Sequence, residues 1–173
     1  ADDDLLVYVS AFGTGDTGGI HAFRVDSKRG TIQSVHRTTG VENPFFLALS
    51  PNRKFLYSIH TPDFGDEVND GIAAFRLEGN SGRMTMLNQQ SALGTTACYL
   101  DVDATGRTLV VANYSSGSVA SLPIRKDGSL GKAASFIQHK GSSVNSQRQT
   151  GPHAHCFVIS PDNRYVLSAD LGL

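Results

Sequence analysis

Leu47-Ala48-Leu49-Ser50-Pro51-Asn52-Arg53-Lys54-Phe55-Leu56-Tyr57 reads as an apolar strand, a tight polar turn and a second apolar strand. The same grammar returns in Leu100-Asp101-Val102-Asp103-Ala104-Thr105-Gly106-Arg107-Thr108-Leu109-Val110. It returns again in Phe157-Val158-Ile159-Ser160-Pro161-Asp162-Asn163-Arg164-Tyr165-Val166. Aligned on Arg53, Arg107 and Arg164, the copies recur after 54 and then 57 residues. A third strand is expected after each such hairpin, over 19–26, 71–77 and 117–124, then a Gly-containing turn and a fourth strand. Units of four antiparallel strands at roughly this spacing are the mark of a β-propeller. One such unit cannot bury both faces of its sheet alone, so neighbours must stack around an axis.

Counted from the centre outward, the innermost strands fall at 45–50, 97–103 and 154–160, and their partners at 54–60, 107–113 and 164–170. Leu5 to Phe12 aligns with the second strand of a unit, so the first unit lacks its innermost one. In a closed ring that strand comes from the C-terminal end of the chain, which removes two open edges. The expected class is all-β, with the outer strands of blade one over 5–37, blade two over 45–91, blade three over 97–138 and the first half of blade four over 154–170. The chain is expected to be the front half of a larger ring, and its expected partner is the missing C-terminal half or a second copy. Nowhere does an apolar period of 3.6 residues persist over a helix length.

With 15 basic and 16 acidic residues the net charge is −1, which argues against a nucleic-acid binder. No apolar run is long enough to span a bilayer as a helix, so no membrane partner is expected. Cys98 and Cys156 are too few for a disulfide framework, and strand alternation sends them to opposite faces, so both are expected as free thiols. Ala1-Asp2-Asp3-Asp4 is a polar start that fits either a cytoplasmic chain or the remainder after signal cleavage into the periplasm.

Gly13-Thr14-Gly15-Asp16-Thr17-Gly18 matches G-x-G-x-x-G, but the strand-like Gly19-Ile20-His21-Ala22-Phe23-Arg24-Val25 follows it where a dinucleotide site needs a helix. A hairpin loop is expected, and no cofactor. Asn113-Tyr114-Ser115 fits a glycosylation acceptor but also ordinary turn chemistry. Arg148-Gln149-Thr150-Gly151-Pro152-His153-Ala154-His155 is the least ordinary run. Strand alternation puts His153 and His155 on one side. They can be structural rim residues, a metal pair, or acid/base groups near neutral pH beside an anion-holding Arg148. No carboxylate or cysteine cluster completes a metal site, so none is expected. Topology adds a further point. Arg148 to His153 lie in a loop between blades, while His60, Asn113-Tyr114 and Asp170-Leu171-Gly172 end successive second strands. All of these gather at one mouth of the channel, where convergent polar groups point to a site.

The chain resembles the lactonase family of seven-bladed propellers, which includes propeller-type 6-phosphogluconolactonases and carboxy-muconate lactonizing enzyme. The runs that carry the resemblance are Asn43 to Pro51, Val111-Ala112-Asn113-Tyr114, Lys126 to Gly131, Gln138 to Asn145, Arg148-Gln149, Pro152-His153-Ala154-His155 and Asp170-Leu171-Gly172. The resemblance implies a chain about twice this length and hydrolysis of a sugar lactone of the 6-phosphogluconolactone kind. His155 or His153 would activate water, Arg148 would hold a carboxylate or phosphate or stabilise the tetrahedral oxyanion, and Asp170 would orient a histidine. Asn113, Tyr114 and His60 would contact the lactone or sugar acid. Ala97-Cys98-Tyr99 and His60-Thr61 depart from the family's Pro-Cys-His and Asn-Glu. These departures keep two alternatives in view, a non-catalytic propeller binding a small ligand or protein and a muconate-lactonizing cyclase.

Overall fold

The computed structural model describes residues 4–63 and 67–173. β1 (Asp4–Ala11), β2 (Gly19–Asp26) and β3 (Thr31–Thr38) form one sheet. β4 (Leu47–Leu49), β5 (Phe55–His60), β6 (Gly71–Leu77) and β7 (Met84–Ser91) form the next. β8 (Ala97–Val102), β9 (Thr108–Asn113), β10 (Ser118–Pro123) and β11 (Ser135–Gln138) form a third, and β12 (Ala154–Ile159) pairs with β13 (Val166–Asp170). Every pairing is antiparallel between strands consecutive in sequence. The chain is all-β, a partial propeller. Among the described residues there is no helix, and so none long and apolar enough to cross a membrane.

The second strand of each sheet shows why these units stack. Residues alternate between the two faces of a strand. Leu56 turns to a cluster with Ile20 and Phe75 of the first two sheets, while Tyr57 and Ile59 turn the other way to meet Leu100, Leu109 and Val111 of the third. β9 repeats the pattern: Leu109 and Val111 face the second sheet, and Ala112 faces Ala154 and Phe157 of the fourth. Both faces are buried, so Leu109-Val110-Val111-Ala112 is apolar without alternation. Each fully buried side chain of this size contributes about 1.5–3 kcal/mol. Directed bonds add register between sheets. Asn88 and Leu130 exchange two hydrogen bonds at 2.8 and 2.9 Å, the Tyr57 hydroxyl donates to Gly128 O at 3.1 Å, and Asp101 accepts the Ile159 N–H at 2.9 Å.

The polar turns are built alike. The N–H groups of Ser50, Asp103 and Ser160 donate to the carbonyls of Phe55, Thr108 and Tyr165 at 2.8–2.9 Å. A side-chain oxygen at the same three positions accepts the return N–H, at 3.0, 2.7 and 3.0 Å. The turn needs a left-handed residue three positions on, supplied by Arg53 (φ 56°), Gly106 (φ 68°) and Asn163 (φ 59°). This corrects the sequence alignment, because Arg53 matches Gly106 and Asn163 rather than Arg107 and Arg164. Shared chemistry at the turn, not the arginine, defines the repeat. The G-x-G-x-x-G run is a β1–β2 hairpin loop closed by Thr17 N–H to Thr14 O at 3.1 Å, with no helix to receive a phosphate.

Asp103 is the charged version of this turn. Burial pushes its carboxyl up, but hydrogen bonds from Thr105 Oγ1, the Thr108 and Arg107 N–H groups and Asn163 outweigh that and hold it at about 2, below the ordinary 3.8. A depressed acid stabilises the fold above its unfolded value and loses that contribution as pH falls through its folded value. Asp103→Ser, which copies Ser50 and Ser160, should therefore fold but be less stable than the parent at neutral pH. The gap between the two should shrink as pH falls from about 4 toward 2. Denaturant unfolding of both proteins across that range checks it, and a pH-independent gap would refute it.

Candidate active site

The approach to β12 and the end of β13 meet the β9–β10 hairpin of the preceding sheet. The Tyr114 ring stacks on His153 with centroids 4.7 Å apart and 17° between planes, and His155 meets the same ring edge-on at 5.7 Å and 90°. His153 precedes β12, His155 falls at a register irregularity between Ala154 and Cys156, and both rings meet Tyr114. His153 Nδ1 lies 3.3 Å from Tyr114 O. A carbonyl only accepts, so Nδ1 carries the proton and Nε2 keeps its lone pair when the ring is neutral. His155 is exposed, His153 half-buried.

Asp170 organises this corner. Its Oδ1 accepts the His153 N–H at 2.7 Å and the Gly172 N–H at 2.8 Å. Its Oδ2 lies 2.6 Å from the Nδ1 of His139, a pair with only 16% and 7% of the two side chains exposed. Burial would raise the Asp170 carboxyl, but the His139, His153 and Gly172 donors hold it below the usual carboxylate range. The ring that Asp170 holds is His139, and it holds His153 by the backbone. Gly172 makes this closure possible, since a Cβ there would fall 1.8 Å from Gly151 O.

Arg148 is exposed, in the loop before Pro152. Its N–H bonds to Asn145 O at 3.2 Å and Asn145 Oδ1 at 3.1 Å, leaving the guanidinium turned to solvent. Asn113 does not line the mouth. It is fully buried, its Nδ2 donates to Ala92 O and Ser118 Oγ at 3.1 Å each, and its Oδ1 has no hydrogen-bond partner among the described residues. His60, at the same strand position two sheets from Asp170, lies apart from the Tyr114 cluster. It lines a cavity of about 460 Å³ with Glu42 and Gln89, and its buried Nε2 has no hydrogen-bond partner among the described residues. Burial lowers its pKa against the opposing pull of Glu42, which favours the neutral ring.

His139 is the member that residue-by-residue sequence reading missed. It follows the outermost strand of its sheet, and nothing local ties it to Asp170, 31 positions away. Cys98 donates toward His155 O at 3.4 Å, but burial pushes its thiol up to about 11, so it is no thiolate nucleophile at neutral pH. Cys98 and Cys156 are both free. No group of three or more His, Cys, Asp or Glu among the described residues is placed to hold a metal.

The corner thus offers two imidazoles and a clamped carboxylate at one end of the strands, with exposed Arg148 in the loop that leads into it. Similarity to known proteins runs along the whole chain. A 6-phosphogluconolactonase of Bacillus subtilis is 33% identical over 166 residues, 96% of this chain and 46% of that protein. One of Formosa agariphila is 31% identical over 154 residues, 89% of this chain and 43% of that protein. A periplasmic gluconolactonase of Pseudomonas aeruginosa superposes with a TM-score of 0.86 at 30% identity, over 96% of this chain and 47% of that one. A solved structure from Bacteroides fragilis gives 0.89 at 36% identity, over 99% of this chain and 46% of that one. The chain therefore spans about half the length of the relatives it matches. The family model for lactonase, a 7-bladed β-propeller, matches residues 6–173. On that match, with the sheet topology above, this chain belongs to the lactonase family of seven-bladed β-propellers.

Proposed function

We propose that the protein hydrolyses a six-carbon sugar lactone at the mouth where His153 and His155 converge on Tyr114. The observation that carries this reading is the pair of imidazoles packed on one aromatic ring, one of them with a defined basic nitrogen. The named relatives act on gluconolactones with and without a phosphate, so the lactone ring is the common element and the phosphate the variable one.

Exposed His155 takes a proton from water as the oxygen attacks the lactone carbonyl carbon. The carbonyl becomes a tetrahedral oxyanion beside the Arg148 guanidinium. The ring C–O bond then breaks, and the departing alkoxide recovers a proton from the imidazolium to leave the open sugar acid. His153, its Nδ1 committed to Tyr114 O, presents Nε2 as a fixed acceptor for a substrate hydroxyl. Tyr114 supplies the wall against which both imidazoles are held. Further groups come from the remainder of the ring, supplied by the rest of a full-length chain or by a second copy. It would also cover the exposed Leu5, Val7 and Val9 of β1 and Val166 and Leu167 of β13.

The full-length protein should hydrolyse glucono-lactone or its 6-phosphate faster than the spontaneous rate, with His155→Ala lowering kcat about a hundredfold or more. A pH-stat assay corrected for uncatalysed opening reads this, and equal rates in parent and variant would remove His155 from the mechanism. Arg148→Ala separates two uses of the guanidinium. If it holds the phosphate, KM should rise for the phosphorylated lactone alone; a fall in kcat on both lactones assigns it to the oxyanion.

A further inference from the structure

We infer that His139 is a positioning residue, which through Asp170 holds both His153 and the loop bearing Arg148 in register with Tyr114. The inference rests on the lactone reading for its kinetic consequence, but its structural part stands on the bonds themselves.

His139 leaves β11 with its N–H donated to Gly117 O at 3.0 Å, and the preceding Gln138 Nε2 donates to Ser116 O and Gly117 O at 2.8 and 2.9 Å. Ser116 and Gly117 belong to the hairpin that carries Tyr114. The backbone of His139 is therefore anchored to the Tyr114 hairpin, and its ring, at 2.6 Å, fixes Asp170 on the neighbouring sheet. The other oxygen of Asp170 clamps the His153 N–H. Tyr114, His139, Asp170 and His153 thus form a closed loop of contacts across two sheets.

Residues 139–153 contain no strand. Within them, Ser143 N–H bonds to Gln149 O at 3.0 Å and Gln149 N–H to Asn145 O at 2.8 Å, so the segment is folded on itself. Its ties to the end of β13 are the His139–Asp170 pair, the His153 N–H to Asp170 Oδ1 at 2.7 Å, the Leu171 N–H to His153 O at 2.9 Å and Gln149 Nε2 to Leu171 O at 3.2 Å. Removing the His139 donor would leave a buried carboxylate oxygen without a partner. Asp170 would then turn toward water and release the His153 N–H.

The titratable and charged groups around Asp170 are His139 after β11, His153 before β12, His155 within β12, Tyr114 on the β9–β10 hairpin and exposed Lys140 next to His139. Of these His139 makes the direct side-chain bond. Its loss should raise the pKa of Asp170, because a donor that favours the carboxylate has gone. Acid then releases the His153 clamp at higher pH.

The test uses the full-length protein with His139→Ala and His139→Asn, since the Asn Nδ2 falls where the His Nδ1 donates. His139→Ala should lower kcat by about tenfold to a hundredfold, with KM changed less, and the acid titration of Asp170, read by carboxyl NMR, should move to higher pH. His139→Asn should restore most of both. Hydrogen–deuterium exchange read by mass spectrometry should quicken over the segments holding His153 and Gly172 in the Ala variant and return toward the parent rate in the Asn variant. Parent-like kinetics and exchange in His139→Ala would overturn the inference, as would equal impairment of both variants with an unmoved Asp170 titration. If the parent itself opens neither lactone, the lactone reading fails, and the exchange comparison alone decides whether His139 holds the corner.

Discussion

Sheets that are apolar on both faces cannot stand alone, and the rest of this molecule depends on that constraint. Leu56 and Tyr57 are adjacent in sequence, fully buried, and point into different inter-sheet cores. β5 therefore requires a neighbour on each side, as does β9 through Val111 and Ala112. Stacking answers the requirement for the two central sheets. The outer two keep it open, with Val166, Leu167 and the apolar residues of β1 exposed. The hydrophobic contribution sets which sheets associate, and paired bonds such as Asn88 with Leu130 set how they are staggered.

Stacking also places the site. Strands that run outward from an axis bring their ends to common faces, so a loop between sheets and a hairpin within one become neighbours. Tyr114 comes from one sheet and His153 and His155 from the next, and their contact is a consequence of the interface formed by Ala112, Val119 and Ala154 beneath them. The corner is rigid because Asp170 satisfies three donors at once and is itself almost fully covered. An ionised carboxylate in such a place is tolerable only with its oxygens paired.

Equivalent positions have diverged in instructive ways. The residue ending the second strand is His60 in one sheet, Asn113 in the next and Asp170 in the last. Asn113 is spent on Ala92 and Ser118, His60 sits over Gly71 in a separate cavity, and Asp170 alone joins the histidine corner. Position in the repeat thus places a residue at the mouth without assigning it a role. Role follows from what the next sheet presents. Phe12 and Phe45, ring centroids 5.4 Å apart, occupy the places that Tyr114 and His155 take two sheets later. The same scaffold therefore carries an apolar pair at one junction and an imidazole pair at another.

Local patterning determined the all-β class, the hairpin units, the repeat and the family, because strand alternation, polar turns between apolar runs, and stretches such as Pro152-His153-Ala154-His155 are read within short windows. The gathering of His153 and His155 at one mouth was legible too, since it follows from topology once the units are counted. Tertiary structure alone decided that Asn113 is interior, that His60 stands apart and that the ring held by Asp170 belongs to His139. Each of these depends on which side chain of a neighbouring sheet arrives first at a buried polar group. The left-handed residue of the turn likewise had to be seen to separate Arg53 from Arg107 and Arg164. Periodicity along a strand records which face is covered, and burial with hydrogen-bond demand across the interface selects the partner.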